Sequence, residues 1–294
     1  MTGKIVIVLM LAFMVGIIGF HPGAAKSSTF VPSGITAIKN VESQKLKLNA
    51  KVPRYRSKDK DADYAGALMR TAVKIQEDVD IKNIKGSIRH IKSASSGSGV
   101  VIAVRNNKSL ILTAAHVCIS AAPVGRVVFK GKYIVTHSQK YVITTKGKKL
   151  RVIRIVKKEI NNDVCIIETV GNAGNIASVA PDYPPMGARV HSVGAPAGYW
   201  QNGLPNIVEG RYVGIRTTPM FIRTNMSPLG FMMFVNFSQY SFPIVGGQSG
   251  SAIFYRGKII GIATIGTSRY EHLVWGPGVL QLKSFVKDTL KKWK

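Results

Sequence analysis

Acidic residues are scarce in this chain. Of 294 residues, 14 are Asp or Glu against 41 Lys or Arg, a formal charge of +27. Cysteine is scarcer still, with only Cys118 and Cys165. There is no CxxC, no HExxH and no phosphate-cradling glycine-lysine loop, so a metal, nucleotide or other cofactor mechanism has no support in the sequence, and none is expected. No zinc finger, RNP motif or basic helix accompanies the positive charge, so specific nucleic-acid binding is not expected. No internal repeat is visible. Low apolar content is not among the absences: 46% of residues are hydrophobic, too many for a disordered chain and enough for a large core.

The charge is spread through the chain. Residues 1–60 hold ten basic and two acidic residues, and residues 61–294 hold 31 and 12, so the body alone carries +19. The densest patch is KGKKLRVIRIVKK, Lys146 to Lys158. Such a surface suits a polyanion or an anionic membrane surface, or serves only solubility. At the N-terminus, Lys4 precedes sixteen apolar residues, Ile5 to Phe20, and HPGAA follows with small residues at Gly23 and Ala25. Residues 1–25 therefore read as a cleaved export signal or a retained membrane anchor, and either places the body outside the cytoplasm. Residues 26–60, rich in Lys, Ser and Pro, read as a basic flexible linker. In an exported chain the two cysteines are a disulfide candidate, and two buried free thiols fit the sequence nearly as well.

Residues 61–294 read as one folded domain. Ala65, Leu68, Met69, Ala72, Val73 and Ile75 fall at helical spacing, predicting a short amphipathic helix over 61–78. From about residue 80 the pattern becomes a dozen short β segments punctuated by Gly, Asn, Lys or Pro, the last of them GVLQL, which predicts a β-sandwich or barrels. The tail from Leu282 to Trp293 is again amphipathic, with Leu282, Phe285, Val286, Leu290 and Trp293 on one helical face.

Three stretches could carry chemistry. LTAAHVC places His116 after an apolar strand, NNDVCIIE places Asp163 before one, and GGQSGSAIF places Ser249 among glycines. Each has an ordinary explanation alone: a core histidine, a turn cap, a glycine-rich bulge. Together they meet a chemical requirement. A hydroxyl nucleophile needs a base to take its proton, and the base needs a carboxylate to orient it. The glycines permit a tight turn that aims the amides of Gly247 and Ser249 at one point, as an oxyanion hole does. Asp163 stands out further because only Glu159, Asp163 and Glu168 are acidic between Asp80 and Asp182. The order His, Asp, Ser fits neither α/β-hydrolases nor subtilisin-like enzymes, and Ser251 stands where the nucleophile elbow needs a glycine.

SGSGVVIAV, LILTAAHVC, NNDVCIIE, GGQSGSAIF and GKIIGIATIG resemble the chymotrypsin/trypsin-fold serine peptidases, over roughly residues 80–294. They look most like the bacterial and viral branch with the high-temperature-requirement and glutamyl-endopeptidase types. The resemblance implies an all-β fold of two six-stranded antiparallel barrels, roughly 80–175 and 185–281, with the site between them. It implies an exported serine endopeptidase acting on protein or peptide through an acyl-enzyme. His116 would be general base, Asp163 its orienting partner and Ser249 the nucleophile. Pro243, Ile244, Ala263, Thr264, Ile265 and Gly266 would bind substrate, with Ala263–Gly266 running along its backbone. The alternative is a non-catalytic protein of the same fold that holds polyanions. The chain departs from digestive relatives at Gln248, where they carry Asp, and at Pro243, where trypsin-like specificity needs Asp. Glutamyl-specific relatives usually place His where Ala263 stands. An uncharged side chain is therefore expected before the cleaved bond.

Overall fold

The computed structural model describes residues 60–293 apart from residues 84, 121, 122, 129, 130, 199, 201–204, 225, 226, 268 and 269. The export signal or anchor and residues 26–59 of the expected linker lie outside the described residues, and Lys60 is helical. Helix α1 (Lys60–Met69) leads into a first sheet of β1 (Ala72–Asn83), β2 (Ile88–Arg105), β3 (Lys108–Thr113), β4 (Val127–Val128), β5 (Tyr133–Ile143), β6 (Lys149–Glu159) and β7 (Val164–Val170), with a one-turn helix α2 (Ala115–Cys118) after β3. The second sheet holds β8 (Arg189–Gly194), β9 (Asn206–Thr224), β10 (Ser227–Ser241), β11 (Ala252–Tyr255), β12 (Lys258–Ile262), β13 (Ile265–Thr267) and β14 (Tyr270–Gly276), and helix α3 (Val279–Lys292) ends the chain.

All strand pairs are antiparallel. The first sheet runs β1-β2-β3-β7-β6-β5 and closes because β1 also pairs with β5, with β4 added beside β5. The second runs β12-β11-β8-β9-β10-β14-β13. β12 and β13 lie on one continuous run: Ala263 N–H donates to Ser251 O on the β11 side, and Thr264 N–H donates to Trp275 O on the β14 side. That run closes the second barrel. The fold is the predicted all-β, two-barrel architecture.

Two predicted elements differ. The helix stops at Met69, and residues 72–83 are strand β1, so the first barrel begins at Ala72. Ala72, Val73 and Ile75 fit a helical face, but strand pairing on both sides wins: Val73 lies opposite Gly99, and Ile75 opposite both Gly97 and Val142. GVLQL is not a strand. Val279 opens α3, where Gly278 N–H donates to the Gln281 side chain in a capping contact. On α3, Leu282, Phe285, Val286 and Trp293 are buried as expected, but Leu290 is exposed and Thr289 takes the inward position, its hydroxyl bonded to Phe285 O.

The central strands are apolar on both faces for a reason the packing makes plain. Val101, Ile111, Cys165 and Ile167 point into the first barrel. Their neighbours Val100, Leu112, Val164 and Ile166 point outward and are covered by Val193, Phe254 and Ile262 of the second sheet and by Leu282 and Phe285 of α3. Such two-sided burial reads as a near-continuous hydrophobic run, not as alternation. Each fully buried Leu or Phe here contributes about 1.5–3 kcal/mol.

The scarce acids are concentrated inside the first barrel domain. Glu77, Asp78, Asp163 and Glu168 are all buried. Burial alone would raise the carboxyl of Glu77, but the Lys140 ammonium and the hydroxyls of Ser120, Ser138 and Ser95 outweigh it and hold it down at about 2. A carboxyl depressed in the fold contributes stability that is complete above its unfolded value and is lost as pH falls through the folded value. Chemical stability should therefore hold down to about pH 4.5 and decline between there and about 2. Urea midpoints followed by circular dichroism across that range test this. The Glu77→Gln variant should show a shallower decline, and an equal one would contradict the assignment. Among the described residues, no helix is long and apolar enough to cross a membrane.

Candidate active site

β3 ends at Thr113, and α2 follows within two residues. This one-turn helix presents His116. Asp163 sits in the tight turn before β7, with a left-handed φ of +47° that Asp and Asn tolerate better than most residues. Its carboxylate binds His116 twice: Oδ2 lies 2.7 Å from the imidazole Nδ1, and Oδ1 accepts the His116 backbone N–H at 3.0 Å. The Asp163 side chain is 12% exposed and that of His116 36%. The acid is thus shielded while the ring keeps an accessible edge. Two residues beyond each, Cys118 and Cys165 are disulfide-bonded, tying the histidine's helix to the aspartate's strand.

Ser249 lies on the turn before β11, and three features shape that turn. Gln248 is buried, its Oε1 accepting the Val245 N–H at 2.8 Å while its own N–H donates to Val245 O. Both contacts are neutral and internal to the turn. Gly247 has φ +88°, and a Cβ there would lie 2.5 Å from Ala195 O. At Gly250, φ +85°, a Cβ would lie 2.1 Å from Thr113 Oγ1 and 2.2 Å from Ser98 O. The serine turn is therefore pressed against the end of β3, three residues before His116, and only glycine permits that approach. Among the described residues, neither the Gly247 nor the Ser249 N–H has a hydrogen-bond partner.

Ser98, outside the three motifs, links the two barrels at this turn. Fully buried in β2, its N–H donates to Ser249 O and its hydroxyl to Gly247 O, both at 2.8 Å. Its hydroxyl also accepts from Ala195 N–H, and its carbonyl from the Thr113 hydroxyl. One side chain of the first barrel thereby holds the serine turn of the second. The signal was Gly97-Ser98-Gly99, since glycines inside a strand mark close approach of another backbone.

Of the remaining predicted residues, Ala263 and Thr264 are buried and Ile265 and Gly266 half-buried. The strand Ile265–Thr267 pairs with β14 on one side and, among the described residues, with no strand on the other, leaving an edge that can accept an extended peptide. Pro243 is exposed. Ile244 is the residue beside Gly266, where an added Cβ would lie 2.3 Å from Ile244 Cγ2. Among the described residues, no three of His, Cys, Asp and Glu gather as metal ligands would.

Residues 97–262, more than half of the chain, match the trypsin-like peptidase domain family. No curated protein sequence matches. Among solved structures, the active form of the Rv3671c protease from M. tuberculosis aligns at 15% identity over 76% of this chain and 82% of that one, with a TM-score of 0.53. An inactive serine-to-alanine mutant of the same protease aligns at 13% identity over 79% and 92%, also at 0.53. At these identities the likeness is one of fold.

Proposed function

We propose that this chain, which belongs to the trypsin-like peptidase domain family, is a serine endopeptidase that works through Ser249, His116 and Asp163. The reading is supported by the Asp163–His116 pair, joined by two hydrogen bonds, and by a serine turn that is pressed against the end of β3 and whose Gly247 and Ser249 amides have no partner among the described residues. In this reading His116 takes the proton of Ser249 Oγ as the oxygen attacks the scissile carbonyl. The tetrahedral oxyanion is received by the amides of Gly247 and Ser249. The imidazolium, stabilised by Asp163, returns the proton to the leaving amine, and water repeats the sequence on the acyl-enzyme. Labelling with a fluorophosphonate tests it directly. Adduct on Ser249 is the expected result, and an unlabelled Ser249 in folded protein refutes the reading.

The same reading extends to specificity. Ile244 fills the space beside Gly266, Ala263 is buried, and the Thr264 hydroxyl is committed to Trp275 O. These residues supply no charge to pair with a buried charged side chain, so small uncharged residues should precede the cleaved bond. Ile244→Ala should move the preference toward larger apolar residues by roughly 10- to 100-fold in relative kcat/KM. A peptide-library profile checks both points, and cleavage confined to Arg/Lys or Glu sites would contradict them.

The proposal also places the protein outside the cytoplasm. It is supported by the apolar run at residues 5–20 and by the disulfide, a bond typical of oxidising compartments. Fractionation of expressing cells would test the location, and a wholly cytoplasmic pool would overturn it.

A further inference from the structure

The least expected group in the first barrel is Glu77. It has no solvent exposure, and among the described residues its carboxylate accepts from Ser95, Ser120, Ser138 and Lys140, on three segments. Oε2 accepts the Ser95 hydroxyl of β2 at 2.7 Å and the Lys140 ammonium of β5 at 3.1 Å. Oε1 accepts the Ser138 hydroxyl of β5 at 2.7 Å and the hydroxyl of Ser120. Stability alone is a weak reason for this arrangement, because a buried ion pair roughly breaks even and apolar residues of similar volume often serve as well. What such a carboxylate does is fix the position of everything bonded to it.

One of those partners leads to the candidate site. Ser120 is two residues past Cys118 and four past His116. Helix α2 is a single turn, too short to hold its own geometry. Its entry is fixed where Asp163 accepts the His116 N–H, and its body by the Cys118–Cys165 bond. Its exit is fixed where the Ser120 hydroxyl meets Glu77. We propose that Glu77 is a positioning residue: acting through Ser120, it sets the exit of α2 and so the placement of the His116 ring against Asp163 and Ser249. A carboxylate is needed because glutamine offers one acceptor oxygen and would turn an N–H₂ donor toward hydroxyls and an ammonium.

The inference rests on the proposed triad for its effect on rate, but its structural half is independent of catalysis. Glu77→Gln, Ser120→Ala and Ser120→Thr are therefore compared with the parent protein in two ways. The first is the low-field proton resonance of the His116 Nδ1–H shared with Asp163. The second is kcat and KM on a peptide substrate, with urea midpoints recorded alongside. Ser120→Ala removes one of the hydroxyl links to Glu77 and leaves its Lys140 partner and the other hydroxyls in place, so the midpoint should move by little. It should shift or broaden the His116 resonance and lower kcat on the order of ten- to a hundredfold at unchanged KM, as small misplacements of catalytic groups do. Ser120→Thr, which keeps the hydroxyl, should restore both. An unmoved resonance in both Ser120→Ala and Glu77→Gln overturns the positioning role. A resonance that responds in a parent protein without peptidase activity upholds the positioning role and refutes the proposed triad instead.

Discussion

Replacing Ser249 with alanine should remove nearly all peptide hydrolysis, a loss on the order of 10⁴–10⁶ in kcat, while the protein stays folded. The size follows from the chemistry: without Oγ no acyl-enzyme can form, and only transition-state binding by the turn's amides remains. The fold should survive because the backbone, not the hydroxyl, carries the structural contacts of this residue. Ser98 donates to Ser249 O, and Gly250 N–H donates to Ala263 O. Adding His116→Ala to the Ser249→Ala variant should cost little more, since members of such a set act as a unit. Steady-state kinetics with circular dichroism check this. A variant that kept a tenth of parental activity would show that another group is the nucleophile.

Asp163→Asn is expected to lower kcat on the order of 10⁴ with little change in stability. The position has a left-handed backbone, which asparagine tolerates, so the turn should keep its shape. One amide oxygen can still accept the His116 N–H. The other position would then carry an N–H₂ donor opposite Nδ1, which favours the wrong tautomer and withdraws the charge that stabilises the imidazolium. Asp163→Ala would confound the test, because it adds backbone strain to the chemical loss. Retention of more than a hundredth of parental kcat in the asparagine variant would mean that the carboxylate is not what orients His116.

The sequence displayed what depended on local order and concealed what depended on register. The barrels were legible from short Val/Ile runs between turn residues, and the motifs around His116, Asp163 and Ser249 singled these out as candidates, of which the structure bonds His116 to Asp163. The boundary at residue 70 was not legible, because Ala72, Val73 and Ile75 suit a helical face as well as a strand. Only the pairing of β1 with both β2 and β5 decides it. The start of α3 is not legible because VLQL is compatible with either period, and the cap that settles it is a contact between Gly278 and Gln281. Ser98 and Glu77 were invisible for a related reason. Their meaning lies in partners far along the chain: Gly247 for one, and Ser120, Ser138 and Lys140 for the other.

The placement of α3 has a mechanical consequence. The helix follows the last strand of the second barrel, yet it lies on the first, with Phe285 and Leu282 among the outward residues of β3 and β7 and the Trp293 indole donating to Glu168. Lys157 of β6 sits over the Phe285 ring and pairs with Asp288. The two barrels, already packed on each other and bonded through Ser98, are thus tied further by the chain between Val170 and Arg189 and by this returning strap. A body hinged at one point can swing, whereas a body held at separated points and along a packed face cannot swing without breaking part of that contact. The cleft between the barrels should therefore behave as a rigid jaw that selects extended peptides by the fit of their side chains, with no opening and closing stroke in its cycle.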